Sequence, residues 1–345
     1  MNYKKGIRIF VIILIVLAVV AVVVLYNVYQ AKENPEAAFA NSEQVDADRA
    51  ALDEDHVSYA ENDNGIIDIN GKRYAPKENV VNILLLGIDS DAEREKANMG
   101  WRSDMIMLCT IDFDTDQISF TSIPRDSRAM VSHVDKSTGK ITSEALDKLN
   151  AAYAYGGGPS YYSAENAMRC TSLMLECDGL VNVPINYYIS IDLGGLPKLA
   201  DALDGIEVTL DQDFPDLGSK GDTIDLKGDK VRKYLENRKQ MADGETDRQR
   251  HEQEFMKAMA RKIKSMGAVD SASALLDTFL NFGKTNLNLN QILSFAAVLD
   301  KTSIDSMNFR LLEEGHPEVI DGIWFYIPHQ DEMLPLMLEL LYNPA

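Results

Sequence analysis

The sequence predicts a three-layer α/β/α domain with a mixed central sheet, preceded by an N-terminal transmembrane helix. Three features carry that expectation. Ile9 to Leu25 contains no charged or polar residue. "NVVNILLLGID", Asn79 to Asp89, is a continuous apolar run of the kind found in strands covered on both faces. Beyond it, strand-like and helix-like stretches alternate, with one polar-turned hairpin among them.

The apolar run at the start approaches, with its edges, the roughly 20 residues that a bilayer-crossing helix needs. Lys4, Lys5 and Arg8 precede it and no basic residue follows until Lys32. The positive-inside rule then puts residues 1–6 in the cytoplasm, residues 7–26 across the membrane as a signal-anchor, and the rest outside. A cleaved signal peptide would have a shorter apolar region, about 7 to 15 residues, and would end in a small-residue cleavage site. "VVVLYNVYQ" offers no A-x-A site. The chain is therefore expected to be a single-pass cell-membrane protein with an extracellular domain.

Residues 27–78 read as an acidic extracellular stalk. Between Gln30 and Asn64 ten Asp or Glu face only Lys32 and Arg49, with room for a short helix from Pro35 to Leu52. "GIIDINGKRYAP" is a hairpin with an Asn70-Gly71 turn. The folded domain then spans residues 79–345. Its strands are "NVVNILLLGID", "DMIMLCTID", "QISFTSI", "NYYISIDL" and "GIEVTL". Its helices are "SAENAMRCTSLMLECDG", "LGGLPKLADAL", "DRQRHEQEFMKAMARKIKSM", "NLNQILSFAAVLDK" and "QDEMLPLMLELLY".

At 345 residues, 46% hydrophobic and 26% charged, the chain can build a sizeable core. Setting aside Lys4, Lys5 and Arg8 takes the formal charge from -20 to -23 for the external part, which excludes general nucleic-acid binding. Three cysteines do not make a disulfide scaffold. Cys170 and Cys177 stand about 10 Å apart along a continuous helix, too far to bridge, so buried free thiols are expected.

Charge gathers where it is structurally out of place. The hairpin turn "FDTD" is centred between Asp114 and Thr115, so antiparallel register puts Asp104 opposite Arg125. Arg102, Asp104, Arg125 and Asp126 then share one sheet edge, and Asp89 joins them if its strand ends there. Taken singly, each reads equally as part of a solvated rim. Together they combine carboxylates suited to a hard cation such as Mg²⁺ with guanidinium forks suited to phosphate. On the long helix Arg248, Glu252, Phe255, Met259 and Ile263 form one stripe, so Arg248 points inward toward either an anion or Glu252 itself. Arg238, in "YLENRKQ", is inward or exposed by composition alone. The glycine run in "DKLNAAYAYGGG" is a loop after a helix or a close approach to a ligand.

In order, "NILLLGID", "WRSDMIML", "TSIPRDS", "KLNAAYAYGGG", "NYYISIDLGGLPKLADALDGIEV", "LKGDKVRKYLENRK" and "DRQRHEQEF" resemble the LytR-CpsA-Psr (LCP) family of membrane-anchored cell-wall enzymes over about Asn82 to Met259. The resemblance implies a Mg²⁺-dependent phosphotransferase. Such an enzyme moves a glycopolymer, a teichoic acid or capsular polysaccharide, from a polyprenyl-pyrophosphate carrier to peptidoglycan. Its partners would be that lipid-linked polymer, peptidoglycan and the bilayer, with no nucleic acid. Position by position, Asp89 and Asp104 match metal-associated carboxylates. Arg102, Arg125, Arg238 and Arg248 match pyrophosphate-binding arginines, and Asp126 matches the acid of the PRD element. Arg125 with Asp104 and Asp126 forms the implied catalytic set, and Asp104 or Asp126 would deprotonate the acceptor hydroxyl. Fixed cations would stabilise charge on the leaving group.

The chain departs from the family pattern at Glu236, where an arginine is usual, and at His251 and Glu252, where arginine and glutamine are usual. Those changes leave two other functions open: a polyprenyl-phosphate or glycopolymer binder acting as scaffold or regulator, and simple hydrolysis of the pyrophosphate link.

Overall fold

The computed structural model describes residues 27–39, 65–90, 101–158, 161–235, 244–267, 275 and 278–345. The hairpin β1 (Ile67–Ile69) and β2 (Lys72–Pro76) comes first, followed by the long strands β3 (Val80–Asp89), β4 (Arg102–Asp112) and β5 (Gln117–Ser122). A second hairpin, β6 (Arg128–Val134) and β7 (Ile141–Lys148), leads into helices α1 (Ala151–Tyr155) and α2 (Ser163–Leu175). Next come β8 (Tyr187–Asp192), α3 (Leu196–Ala202), β9 (Ile206–Thr209), β10 (Thr223–Leu226), α4 (Asp229–Leu235) and α5 (Gly244–Met266). The C-terminal part holds β11 (Gly283–Thr285), α6 (Leu289–Lys301), β12 (Asn308–Leu311), β13 (Gly315–Ile320), β14 (Ile323–Pro328), α7 (Gln330–Leu341) and β15 (Tyr342–Pro344).

The central sheet has six strands in the order β11-β8-β3-β4-β5-β12. It is mixed: β3 runs parallel to β8 and β12 parallel to β5, while β3–β4, β4–β5 and β8–β11 are antiparallel. The two-residue side-chain period of a strand sorts the apolar run of β3 between two cores. Leu84 and Leu86 face a cluster with Ile106, Leu108, α1, α2 and α7, whereas Ile83 and Leu85 face one with Met107, Cys109, Ile111, α5 and α6. Helices thus cover both faces, which explains why β3 shows no polar alternation. Each such fully buried side chain contributes roughly 1.5–3 kcal/mol.

A polar pair pins the register inside this apolar layer. Asn82 and Thr110 face each other across β3 and β4, with Thr110 Oγ1 donating to Asn82 Oδ1 at 2.8 Å. Asn82 Nδ2 donates in turn to the Pro184 carbonyl at 2.9 Å. A one-residue slip would leave these buried groups without partners, costing about 1–3 kcal/mol each. The register matters because its far end sets Asp89 opposite Arg102.

The β4–β5 ladder runs from Asp112↔Gln117 to Met107↔Ser122, and Ile123 N still donates to the Ile106 carbonyl at 2.9 Å. The midpoint register expected from the turn therefore holds. "GIEVTL" does form a strand, β9, but not in the central sheet: it pairs only with β10. Its burial alternates, with Ile206 and Val208 inward and Glu207 and Thr209 outward, as suits a two-stranded flap with one covered face. The hairpins β6–β7 and β13–β14 had no counterpart in the sequence reading.

Parts of the segment 27–78 are built into the body. Asn70 and Gly71 make the expected turn with φ of 55° and 77°, and β2 is flanked by β15 on its other side. Phe39 is buried against Phe113 and Tyr187, ring centroids 5.5 and 5.3 Å away. The folded body thus begins ahead of residue 79. Pro35–Ala38 forms a 3₁₀ turn, and the rest of the helix expected to Leu52 lies outside the described residues, as does the expected membrane helix 7–26. Among the described residues no helix is long and apolar enough to cross a membrane.

Cys109, Cys170 and Cys177 are free and buried. Burial pushes the Cys109 and Cys170 thiols up, and that of Cys177 up to about 12. The folded protein should therefore give no fast reaction with a thiol reagent at pH 8, whereas protein in 6 M guanidinium (about the upper end of unfolding conditions) should release the full complement. Rapid labelling of the native chain would contradict this packing.

Candidate active site

The charged residues meet where the parallel strands β3 and β8 end. A β-bulge prepares the place: the β3–β4 register passes from Gly87↔Met105 to Ile88↔Ser103, leaving Asp104 as the extra residue. A bulge re-aims the side chain it carries and bends its strand. Gly87 is required beside it, because a Cβ there would stand 2.6 Å from Leu193 and 2.9 Å from Met105. Asp104 is buried, and its Oδ2 lies 2.9 Å from Arg125 Nη1. The cross-strand meeting expected from the hairpin midpoint is made by the side chains, although the ladder itself stops at Met107↔Ser122.

Asn150 ties the two partners together. Its N–H donates to the Arg125 carbonyl at 3.0 Å, its carbonyl accepts from Ser103 N at 3.3 Å, and its Nδ2 reaches Asp104 Oδ1 at 3.4 Å. Asp126 sits deeper along the same loop. Its Oδ1 is 2.6 Å from Lys148 Nζ and its Oδ2 is 3.6 Å from Arg125 Nε. Two cations therefore hold Asp126, which suits it to position Arg125. Asp104, which faces the cleft, is the better placed of the two candidate bases.

Arg248 points inward as its helical stripe requires. It is buried, its Nη1 donates to the Asp104 carbonyl at 2.9 Å, and it pairs with Glu252 one turn along α5. Of the two partners the stripe allows, Glu252 is the one engaged, and the pair lies in the lining of the cleft. His251 is buried elsewhere, with Nε2 3.0 Å from Asp211 Oδ1 and its ring against Tyr234 and Phe214. Phe214 and Tyr234 belong to a third apolar cluster, with Leu199, Ile206, Leu226 and Phe255, and the His251 ring packs against it. Arg238 and Glu236 lie outside the described residues.

The cleft beside these groups measures about 960 Å³. Asp89, Asp104, Arg248 and Glu252 line one part of it, and Leu193, Leu196, Phe214, Leu217, Val231 and Leu235 supply apolar wall. Arg125 stands behind Asp104. Arg102 faces Asp89 in the β3–β4 register, and its charge is felt at Tyr155. Burial and the hydrogen bond to Asp147 push that phenol up, while Arg102 pulls it down. Arg102 Nε is buried with no hydrogen-bond partner among the described residues.

Three contributors had escaped the sequence reading. Lys148 and Asn150 lie in or beside "DKLNAAYA", whose polar residues gave no sign of pointing at the PRD loop. Asp192 lines the cleft and accepts from Gly194 N at 2.7 Å and from the Ser90 hydroxyl. A signal for it existed, since β3 and β8 both end in Ile-Asp and run parallel with Ile88 beside Asp192.

The donor set fits a hard cation. Among the described residues no group of three His, Cys, Asp or Glu is arranged to hold a metal alone. Mg²⁺, however, commonly binds through one or two carboxylates together with substrate phosphates. Asp89 and Asp104 offer such a pair. Among the described residues the lining also carries Asp192, Asp216, Asp229 and Glu252 beside Arg232, Lys233 and Arg248, so an anionic ligand entering here gains from a divalent counter-ion.

The pattern of the LytR_cpsA_psr family matches residues 25–340. A polyisoprenyl-teichoic acid–peptidoglycan teichoic acid transferase, TagU of Bacillus anthracis, is 31% identical over 254 residues, spanning 72% of this chain and 74% of that protein. Among solved structures, TagV of B. subtilis aligns with a TM-score of 0.60 at 18% identity, covering 77% of this chain and 98% of TagV. A structure described as TagT bound to LIIa-WTA aligns at 0.57 and 23% identity, covering 83% and 98%. The latter two share the mixed α/β fold. With the family pattern covering most of its length, the chain belongs to the LytR_cpsA_psr family.

Proposed function

We propose that the protein transfers a glycopolymer of the teichoic-acid class from a polyprenyl-pyrophosphate carrier to peptidoglycan, outside the membrane to which residues 7–26 would anchor it. The observation that carries this is the mixed lining of the cleft. Apolar Leu193, Leu196, Phe214 and Leu217 stand in it with charged Asp104 and Arg248, and Arg125 is bonded to Asp104. A lipid pyrophosphate is likewise part apolar and part charged. The similarity to a teichoic acid transferase supports the polymer class.

In this reading Asp89 and Asp104 would hold Mg²⁺, which when bound would supply charge neutralisation for the pyrophosphate. Arg125, kept in place by Asp104 and Asp126, and Arg248, kept in place by Glu252, present fixed cations that need no reorganisation during reaction. Arg102, opposite Asp89, would add a further cation. Asp104 accepts the proton of the acceptor hydroxyl, whose oxygen bonds to the sugar-side phosphorus. The bond from that phosphorus to the bridging oxygen breaks, and polyprenyl monophosphate leaves. Cleavage at the sugar would instead release polyprenyl pyrophosphate.

One observation favours the rival binding function: Glu252 already engages the Arg248 guanidinium. A reconstituted assay with a lipid-linked oligosaccharide, Mg²⁺ and peptidoglycan fragments separates the two. Wild-type protein should yield sugar-phosphate-modified fragments and polyprenyl monophosphate. Asp104→Asn should lower turnover by about 10²-fold or more while donor binding is partly kept. Donor binding without product in the wild type would establish the binder, and free oligosaccharide phosphate without modified fragments would establish the hydrolase.

The Arg248–Glu252 pair makes a separate stability prediction. Arg248→Met takes the guanidinium away from a buried carboxylate and should destabilise the fold by about 3–5 kcal/mol, whereas Arg248→Met with Glu252→Leu should recover most of that loss. Denaturant unfolding measures both. Equal stability of the single and double variants would contradict the inward pairing.

A further inference from the structure

The hairpin β13–β14 is stitched to the catalytic loop. Tyr326 N donates to the Asp126 carbonyl at 3.0 Å, and Tyr326 forms a parallel bridge with Ser127. Register places Val319 opposite Trp324 and Pro317 opposite Tyr326, so these four side chains share one face. That face is open, with Val319 64% and Trp324 39% exposed. The Trp324 ring is also 5.8 Å from Lys148 Nζ, the ammonium that binds Asp126. Contacts thus run without a gap from Asp104 through Arg125, Asp126 and Lys148 to an exposed indole.

We infer that the Trp324–Val319 face of this hairpin is the platform on which the acceptor glycan strand lies, an inference that rests on the transferase reading above. Its chemistry selects the occupant. Flat sugar rings present C–H faces that pack on an indole, while their hydroxyls need hydrogen-bond acceptors at the edge, which Asp321 in the hairpin turn supplies. Charge disfavours the alternatives. Glu313, Glu314, Glu318 and Asp321 lie in or beside the hairpin, and no lysine or arginine follows Arg310. Lys148 and Arg128 pack on its Trp324 and Phe325 rings, but Lys148 is already paired with Asp126, so a polyphosphate chain or an anionic bilayer would meet net repulsion. The donor then enters by the cleft, and the glycan is held on the neighbouring hairpin with its acceptor hydroxyl extending round the Asp126–Lys148 pair to the cleft that Asp104 lines.

The chain has two tryptophans, Trp101 and Trp324, so full-length Trp101→Phe protein reports on Trp324 alone. Soluble glycan fragments from muramidase-digested peptidoglycan should saturably shield that indole from acrylamide quenching. In the transfer assay Trp324→Ala should raise the acceptor KM about tenfold with the donor KM unchanged, and Trp324→Tyr should restore most of it. Val319→Asp, at a site with little packing to lose, should repeat the acceptor-side defect. Indifference of the indole to millimolar fragments, a shift in donor KM instead, or shielding by phosphatidylglycerol vesicles alone would overturn the inference, the last by making the face a bilayer contact. Shielding by fragments in a protein that transfers nothing would uphold the platform and remove the transferase.

Discussion

The contact between Arg125 and Asp104 is the constraint on which the site depends. Two side chains that would gain little from each other in water are held at 2.9 Å where β4 and β5 stop pairing, both largely out of solvent. Desolvation takes back much of what such a pair gains, so its value lies in position rather than stability. The bulge at Asp104 turns the carboxylate into place, Asn150 holds the loop backbone, and Asp126 with Lys148 holds the guanidinium from behind. Removing any one of these leaves a buried charge with an incomplete set of partners.

Around that contact the fold divides labour between its layers. The two apolar cores on either face of the sheet make β3, β4 and β8 rigid, and rigid strands deliver Asp89, Asp104 and Asp192 to one rim. Crevices outside the ends of parallel strands are the usual ligand sites of such sheets. The third cluster, built from α3, α4, β9, β10 and the start of α5, closes the other side of the cleft and gives it an apolar wall. A lipid pyrophosphate matches that division, its chain against the third cluster and its charge against the rim.

How much of this the residues announced depends on how local the determining contact is. The Asp104–Arg125 meeting follows from a short turn and constant register, so counting from Asp114 and Thr115 suffices. The inward aim of Arg248 follows from helical periodicity. Its landing on the Asp104 carbonyl, 144 residues away in sequence, does not. Lys148 and Asn150 were equally hidden, because a tertiary approach and no sequence period brings them to the PRD loop. The hairpin β13–β14 escaped because Pro317 and the His316-Glu318 charges blur the alternation that marks a strand. His251, conspicuous as a departure from family pattern, proved to be a matter of aromatic packing with Asp211 at its tip.

The most direct test of the central claim is a crystal structure of the protein with a short-chain polyprenyl pyrophosphate and Mn²⁺ in place of Mg²⁺, the ion located by its anomalous scattering. The account predicts Mn²⁺ on Asp89 and Asp104, pyrophosphate oxygens between it and Arg125 and Arg248, and isoprenoid along Leu193, Phe214 and Leu217. A pyrophosphate seated elsewhere, with the Asp104–Arg125 pair untouched, would contradict it.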